Sequence, residues 1–280
     1  MSADVMARAY QASPLGLQSR VLREANAMYA IAWREVLRAV KSPLSLMFTI
    51  VFPVVFIGLL GGSIADNLSG ALPYAYLPFM LIGMIANSLY QGTVAGVLNL
   101  VEEREQDFTA ELFVAPISRF TVLVGKIVGS SAASLIALVG VLGMVVVMRI
   151  PMDLGDLLRV LASAPLLALA GAALGAFFVG IVPDATTARF VTGLVVFPQM
   201  FLAGAIIPIA GSSGLLAVLA RLMPMTYSID LARNIFYAGK PEVASAVLYP
   251  MWLDLAVTAG LCAAFTIVGT ILFVRADRNR

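Results

Sequence analysis

The sequence predicts an all-α polytopic membrane protein with six transmembrane helices. Three observations carry that expectation. Hydrophobic residues fill 61% of the 280 positions and charged residues only 12%, against roughly a quarter charged in a soluble domain. Mean hydropathy is +0.96. Apolar runs of the roughly 20 residues that a bilayer requires recur along the chain, at residues 44–62, 74–101, 120–148, 158–182, 190–208 and 251–274.

The first 43 residues contain no such run, so a cleavable signal is not expected and the first span directs insertion. Within them, residues 18–41 read as an amphipathic helix. Tyr29, Trp33, Val36 and Val40 follow helical spacing on one face, with Arg20, Arg23, Arg34, Arg38 and Lys41 toward another. Pro43 ends it, because the residue before a proline avoids helical geometry. A basic helix carrying Trp and Tyr suits a membrane surface. The domain division is thus an N-terminal segment (1–43), a membrane domain (44–274) and a short tail (275–280).

Lys and Arg set the orientation. With six spans, Arg8, Arg20, Arg23, Arg34, Arg38, Lys41, Arg104, Arg119, Lys126, Arg189, Arg275, Arg278 and Arg280 fall on one side. Arg149, Arg159, Arg221, Arg233 and Lys240 fall on the other. This bias places both termini in the cytoplasm of a cell (inner) membrane protein. Lys126, inside the third span, is expected to snorkel to the inner surface.

Between spans two and three lies "VEEREQDFTAELFVAPISR", residues 101–119. Glu102, Glu103, Arg104 and Glu105 follow the span directly. Glu103, Asp107 and Glu111 lie four apart on one helix face, where like charges repel modestly. Phe108 and Leu112 make an apolar stripe beside them, and Pro116 breaks the helix before Arg119. The segment reads as a short amphipathic helix between two spans. Its acids fit a docking surface, a catalytic carboxylate pair or a solvated loop.

Between spans five and six, residues 209–250 are too apolar for a loop and too short in each piece to span. Pro224 divides them and Gly239-Lys240-Pro241 closes the second piece. Such pieces are re-entrant or interfacial, with protein covering their backbone. Asp230 and Arg233, three apart, are expected to form a surface ion pair worth under ~1 kcal/mol.

Several functions are disfavoured. The central parts of the spans lack Asp, Glu, Lys and Arg, which ion-coupled carriers need. The chain has no histidine and one cysteine, Cys262, so the commonest general base and metal ligand is missing and no internal disulfide is possible. Ser88, Ser130, Ser131 and Ser134 read as helix-packing residues, as do the glycines of Gly92–Gly96 and Gly171–Gly175. The nearest approach to a P-loop, "FTVLVGKIVG", has Phe120 where the first glycine should be and Ile127 where Ser or Thr should follow the lysine. No catalytic, metal or cofactor residue is therefore assigned. Asn87, Tyr90, Gln91, Asn99 and Gln199 are the polar groups left to line a pathway or to bond helices together. An ATP-independent channel or secondary carrier is the alternative, and a membrane-embedded transferase using Asp66, Asp153 and Asp156 a more distant one.

At the acidic stretch the sequence resembles the permeases of type-2 ATP-binding-cassette exporters. "EEREQDFTAELFVAPISRFTVLVGKI" is similar to that family's Glu-Arg-Glu segment, Leu-x-x-x-Pro-x-Ser-Arg and Gly-Lys. "FPQMFLAGAIIP" followed by "RLMPMTYSIDLARNIFYAG" resembles its fifth span and outer re-entrant helices, and "WREVLRAVKSPLSLMF" its interfacial helix. The resemblance implies a non-enzymatic permease subunit of an exporter. Its partners would be a second copy (a homodimer) or a homologue, membrane lipids, and separate cytoplasmic ATPase subunits that hold the ATP and Mg, with no nucleic acid. It also implies a coupling helix comprising Glu102, Glu103, Arg104, Glu105, Asp107, Phe108, Glu111, Leu112, Pro116 and Arg119. The chain departs from the family at Gln106-Asp107-Phe108, where a glycine is frequent. The cargo implied is hydrophobic or amphiphilic: a drug, a lipid or a lipid-linked glycan. With no added carbohydrate-binding domain, a small-molecule or lipid-like cargo is favoured.

Overall fold

The computed structural model describes residues 17–68, 72–105, 118–147, 150 and 152–278. Among them there is no strand. Helix α1 spans Leu17–Lys41. Helix α2 (Pro43–Phe56) follows with proline in its first turn, runs through a π-turn (Ile57–Gly61) and continues as α3 (Gly62–Leu68). Two long helices come next, α4 (Tyr76–Glu105) and α5 (Arg119–Val147). Helix α6 spans Leu154–Ile181, four residues earlier than the hydropathy suggested, because Asp153 caps it by accepting from the Asp156 amide at 2.7 Å.

The fifth apolar run is built from α7 (Ala185–Val191), a π-turn (Thr192–Val196) and α8 (Phe197–Leu202). The sequence placed its end at residue 208. The helix stops at Leu202 because the chain turns there, with Gly204 in the left-handed region at φ +76°. Helices α9 (Gly214–Leu222) and α10 (Pro224–Phe236) meet at 83°, as expected for pieces split by Pro224. A short α11 (Val243–Ala246) leads into α12 (Met251–Arg278).

Among the described residues, five helical segments are long and apolar enough to cross a membrane: Tyr76–Glu105, Arg119–Gly143, Leu154–Ile181, Ala185–Leu202 and Met251–Arg275. The bent α9–α10 pair would count as a sixth only if treated as one span. The first predicted span has a shorter apolar part, Ile50–Ile64. The protein is thus a multi-pass membrane protein.

Helix α4 is the axis of the bundle. Its apolar window is 72% buried, whereas that of α12 is 17% buried, so α4 is surrounded by protein and most of the α12 surface is left uncovered by the rest of the chain. Between them lies α6, which packs on both. Without a hydrophobic force between helices in lipid, close approach must come from small residues. A Cβ on Gly171 would lie 2.2 Å from the Tyr90 carbonyl oxygen, and one on Gly175 2.9 Å from Val97 Cβ. This pair therefore serves packing within the chain, α6 on α4.

The amphipathic α1 has three faces rather than two. Tyr29, Trp33 and Val40 are exposed, as a lipid-surface face requires. Ile31 and Glu35 are buried against α5. The backbones nearly touch there, since a Cβ on Gly129 would sit 2.8 Å from Ala32 Cα. We call the face of the bundle that carries α1 the near face and the opposite one the far face.

Candidate functional site

Helix α4 ends at the near face in four consecutive charged residues. Successive side chains on an α-helix point about 100° apart, so four of them sweep the full circle. Because α4 is central, each direction meets another element. Glu102 accepts from Arg189 Nε of α7 at 2.9 Å. Glu103 turns toward α5 and α1. Arg104 donates to the Val179 carbonyl of α6 at 3.3 Å and lies over the Phe273 ring of α12 at 4.5 Å. Glu105 accepts from the Ala185 amide at the start of α7 at 2.8 Å.

Among the described residues, Glu103 joins Glu35, Arg34, Arg38 and Lys126 in an ion network. Lys126 Nζ lies 2.8 Å from both Glu103 Oε1 and Glu35 Oε1. Arg34 reaches Glu103 at 2.7 Å and Glu35 at 3.0 Å, and Arg38 reaches Glu103 at 2.5 Å. Lys126 does not snorkel to the surface as the sequence suggested; it is 1% exposed. A lysine a turn or two inside an apolar helix needs a carboxylate when no water is in reach. Here two helices supply one each. Burial opposes the Arg34 charge, but Glu103 and Glu35 outweigh it and raise its pKa.

The other end of the acidic segment is fastened too. Ser118 accepts from the Thr121 amide at 3.1 Å, capping α5. Glu24 of α1 accepts from the Ser118 amide at 3.0 and 3.1 Å and from the Thr121 hydroxyl. Those bonds, Thr121 first, hold the Glu24 carboxyl below its ordinary range. Arg119 opens α5 next to this clasp. Asp107, Phe108, Glu111, Leu112 and Pro116 lie outside the described residues.

The proposed pathway groups do not form one line. Asn87 accepts from Gln91 Nε2 at 2.5 Å on the same face of α4. Tyr90 is fully buried, facing Ala170, Pro224 and Cys262. Asn99 borders a cavity near α1. Gln199, buried on α8, bonds back to the Val195 carbonyl at 3.4 Å.

At the far face, Asp230 and Arg233 are not a surface ion pair. Both are buried, at 0% and 1% exposure, and they turn to different partners. Arg233 donates to the Gly204 carbonyl at 2.7 Å and lies over the Phe79 ring at 3.5 Å. Asp230 accepts from the Leu248 and Tyr249 amides at 2.8–3.0 Å. Together they pin α10 to the start of α4, the turn after α8 and the approach to α12. Asp153 and Asp156, considered for chemistry, have structural partners. Asp153 caps α6, and Asp156 pairs with Lys240 at 2.6 Å and Arg159 at 3.3 Å. Asp66 is exposed on α3. Among the described residues no group of three or more His, Cys, Asp or Glu could hold a metal ion.

The family model for "ABC-2 type transporter" matches residues 26–237. This chain belongs to the ABC-2 type transporter family. The match takes in α1 from residue 26 onward, the charged end of α4 and the bent α9–α10 pair. Three relatives are each called nodulation protein J. That of Neorhizobium galegae is 24% identical over 206 residues, covering 72% of this chain and 76% of its own length. That of Rhizobium meliloti (strain 1021) is 23% identical over 215 residues, 76% of this chain and 79% of its own. That of Rhizobium leguminosarum bv. trifolii is 26% identical over 218 residues, with the same two shares. As an ABC-2 family member the chain is a membrane component of a transporter.

Proposed function

We propose that this ABC-2 protein is the permease subunit of an ATP-driven exporter in the cell (inner) membrane, with both termini and the near face cytoplasmic. It moves a hydrophobic or amphiphilic substrate (a drug, lipid or lipid-linked glycan) outward, as a homodimer or with a homologous permease. Separate ATP-binding-cassette subunits bind ATP and Mg and drive it. The observation that carries this reading is the wiring of Glu102–Glu105 into five other helices.

Residues 106–117 lie between two anchored points. Force on them enters α4 at Glu105 and α5 at Ser118. From α4 it passes to α7 through Glu102 and Glu105, to α6 and α12 through Arg104, and to α1 and α5 through Glu103. A cytoplasmic motor seated on that segment would thereby move the near-face ends of the bundle together. A solvated loop gives no reason for these four side chains to be bonded to five other helices.

The test is purification from native membranes in mild detergent, followed by identification of what comes with the protein. The reading requires a stoichiometric ATPase, lost when Glu102–Glu111 are changed to alanine. If the partner and its ATP-dependent transport survive that change, the coupling assignment is wrong.

A further inference from the structure

Asp254, in the first turn of α12, is fully buried. An ionisable side chain inside a spanning helix needs a partner. Asn234 Nδ2 donates to Asp254 Oδ2 at 2.8 Å, but Oδ1 has no hydrogen-bond partner among the described residues. Across the α10–α12 contact Asp254 meets a second carboxyl, that of Asp230, equally buried and within hydrogen-bond reach. Asp230 and Asn234 lie four apart on α10 and so share the face turned to α12.

The two carboxyls have unequal surroundings. Asp230 accepts from the Leu248 and Tyr249 amides at 2.8–3.0 Å and has Arg233 beside it, so a negative charge is stabilised there. Asp254 has the Asn234 amide, and its charged neighbour is Asp230 itself. The Tyr227 phenol also faces Asp254 and stacks on the Tyr249 ring, while Tyr74, Tyr76 and Tyr237 face Arg233. Helix α6, the other element packed on α12, carries Asp156 and Arg159 at its start, where they pair with Lys240 and each other. Two carboxylates in contact and away from water cannot both be ionised. A hydrogen between them removes the repulsion and gives the buried Asp254 carboxyl the bond it lacks.

We propose that Asp230 and Asp254 form a proton-binding site, in which Asp254 carries the proton and its O–H donates to the Asp230 carboxylate. On release the O–H bond breaks, the proton passes to water and two facing carboxylates remain. Their repulsion acts between α10 and α12, so one proton holds the bent α9–α10 pair against the last helix. The inference does not depend on the exporter reading.

The test follows the thermal midpoint of the full chain in mild detergent between pH 6 and pH 7. The chain has no histidine, so no side chain with its ordinary titration range near neutrality is present. The folded chain holds a proton that the unfolded chain, with ordinary aspartates, has released. Stability should therefore fall as pH rises, with the unfolding constant up about tenfold per pH unit and the midpoint down by about 3 °C. Asp254→Asn puts an amide donor in place of the O–H, and Asp230→Asn removes the acceptor charge; both should lose this slope. Infrared spectra at pH 7 should show a protonated-carboxyl band in wild type that both variants lack. Asp254→Asn, an isostere of the protonated acid, should stay monodisperse. A wild-type slope no steeper than that of Asp254→Asn overturns the proposal. So does a spectrum in which that band is absent from wild type or survives either substitution, or loss of monodisperse Asp254→Asn.

Discussion

Replacing Lys126 with methionine tests the ion network at its most buried point. The substitution keeps the length and packing of the side chain and removes only the ammonium. Glu35 and Glu103, with side chains 5% and 10% exposed, would then share a site without the cation 2.8 Å from both. Removing one partner of a buried ion pair costs about 3–5 kcal/mol. Arg34 and Arg38 remain bonded to these carboxylates but are one-third and nearly half exposed, so their compensation is partial and the lower end, about 3 kcal/mol, applies. At roughly 2 °C per kcal/mol for a chain of this size, the thermal midpoint should fall by about 6 °C. Fluorescence-detected size exclusion after heating in mild detergent measures that shift. If the cost comes from the uncompensated charge, Glu35→Gln added to Lys126→Met should recover at least ~1 kcal/mol of it. An unchanged midpoint in Lys126→Met, or a double variant less stable than the single, would mean that Lys126 does not compensate these two buried carboxylates.

Other outcomes follow from the same structure. Arg233→Met should lose about 3–5 kcal/mol, because the Gly204 carbonyl and buried Asp230 both lose a cationic neighbour; the same heating assay reads it. Gly171→Ala should sharply lower the yield of monodisperse protein, since its Cβ meets the Tyr90 carbonyl at 2.2 Å, whereas Gly143→Ala, with nothing within 4 Å, should be tolerated. Glu24 gives a pH dependence. Its carboxyl is held below the ordinary value of 4.5 in the folded protein, so its stabilisation is complete above that value and is lost as pH falls through the lower folded one. The midpoint difference between wild type and Glu24→Gln should therefore be constant from pH 7 to 6 and shrink below about pH 4.5.

What could be read from the sequence follows from what acts locally. Spans are set by run length, so Tyr76–Glu105 and Met251–Arg278 were legible within a few residues. The break at Pro224 follows from proline's own geometry. The charged end of α4 stood out because acid is rare in this chain. What it touches did not, since Arg189, Val179, Phe273 and Ala185 are brought there by the packing of α6, α7 and α12. Glu35 was hidden for a related reason. A two-faced reading of α1 left no place for a carboxylate, and the third face exists only because Gly125 and Gly129 let α1 lie on α5. A signal was available, though: Lys126 inside an apolar helix requires a buried acid somewhere. Arg233 was misjudged because a neighbour three residues away seemed sufficient, while its closest partners come from residues 79 and 204.

In the proposed coupling, the charged end of α4 relays movement of the acidic segment to the near-face helix ends. Hydrogen–deuterium exchange on the assembled complex, with and without a non-hydrolysable ATP analogue, tests it most directly. With such a relay, the analogue changes exchange together in residues 102–117, at the start of α7, where the Ala185 amide meets Glu105, and at the start of α5, where the Ser118 amide meets Glu24. Glu105→Gln should weaken the response at α7 more than that at α5. A response confined to residues 106–117, with both helix starts unchanged, would contradict it.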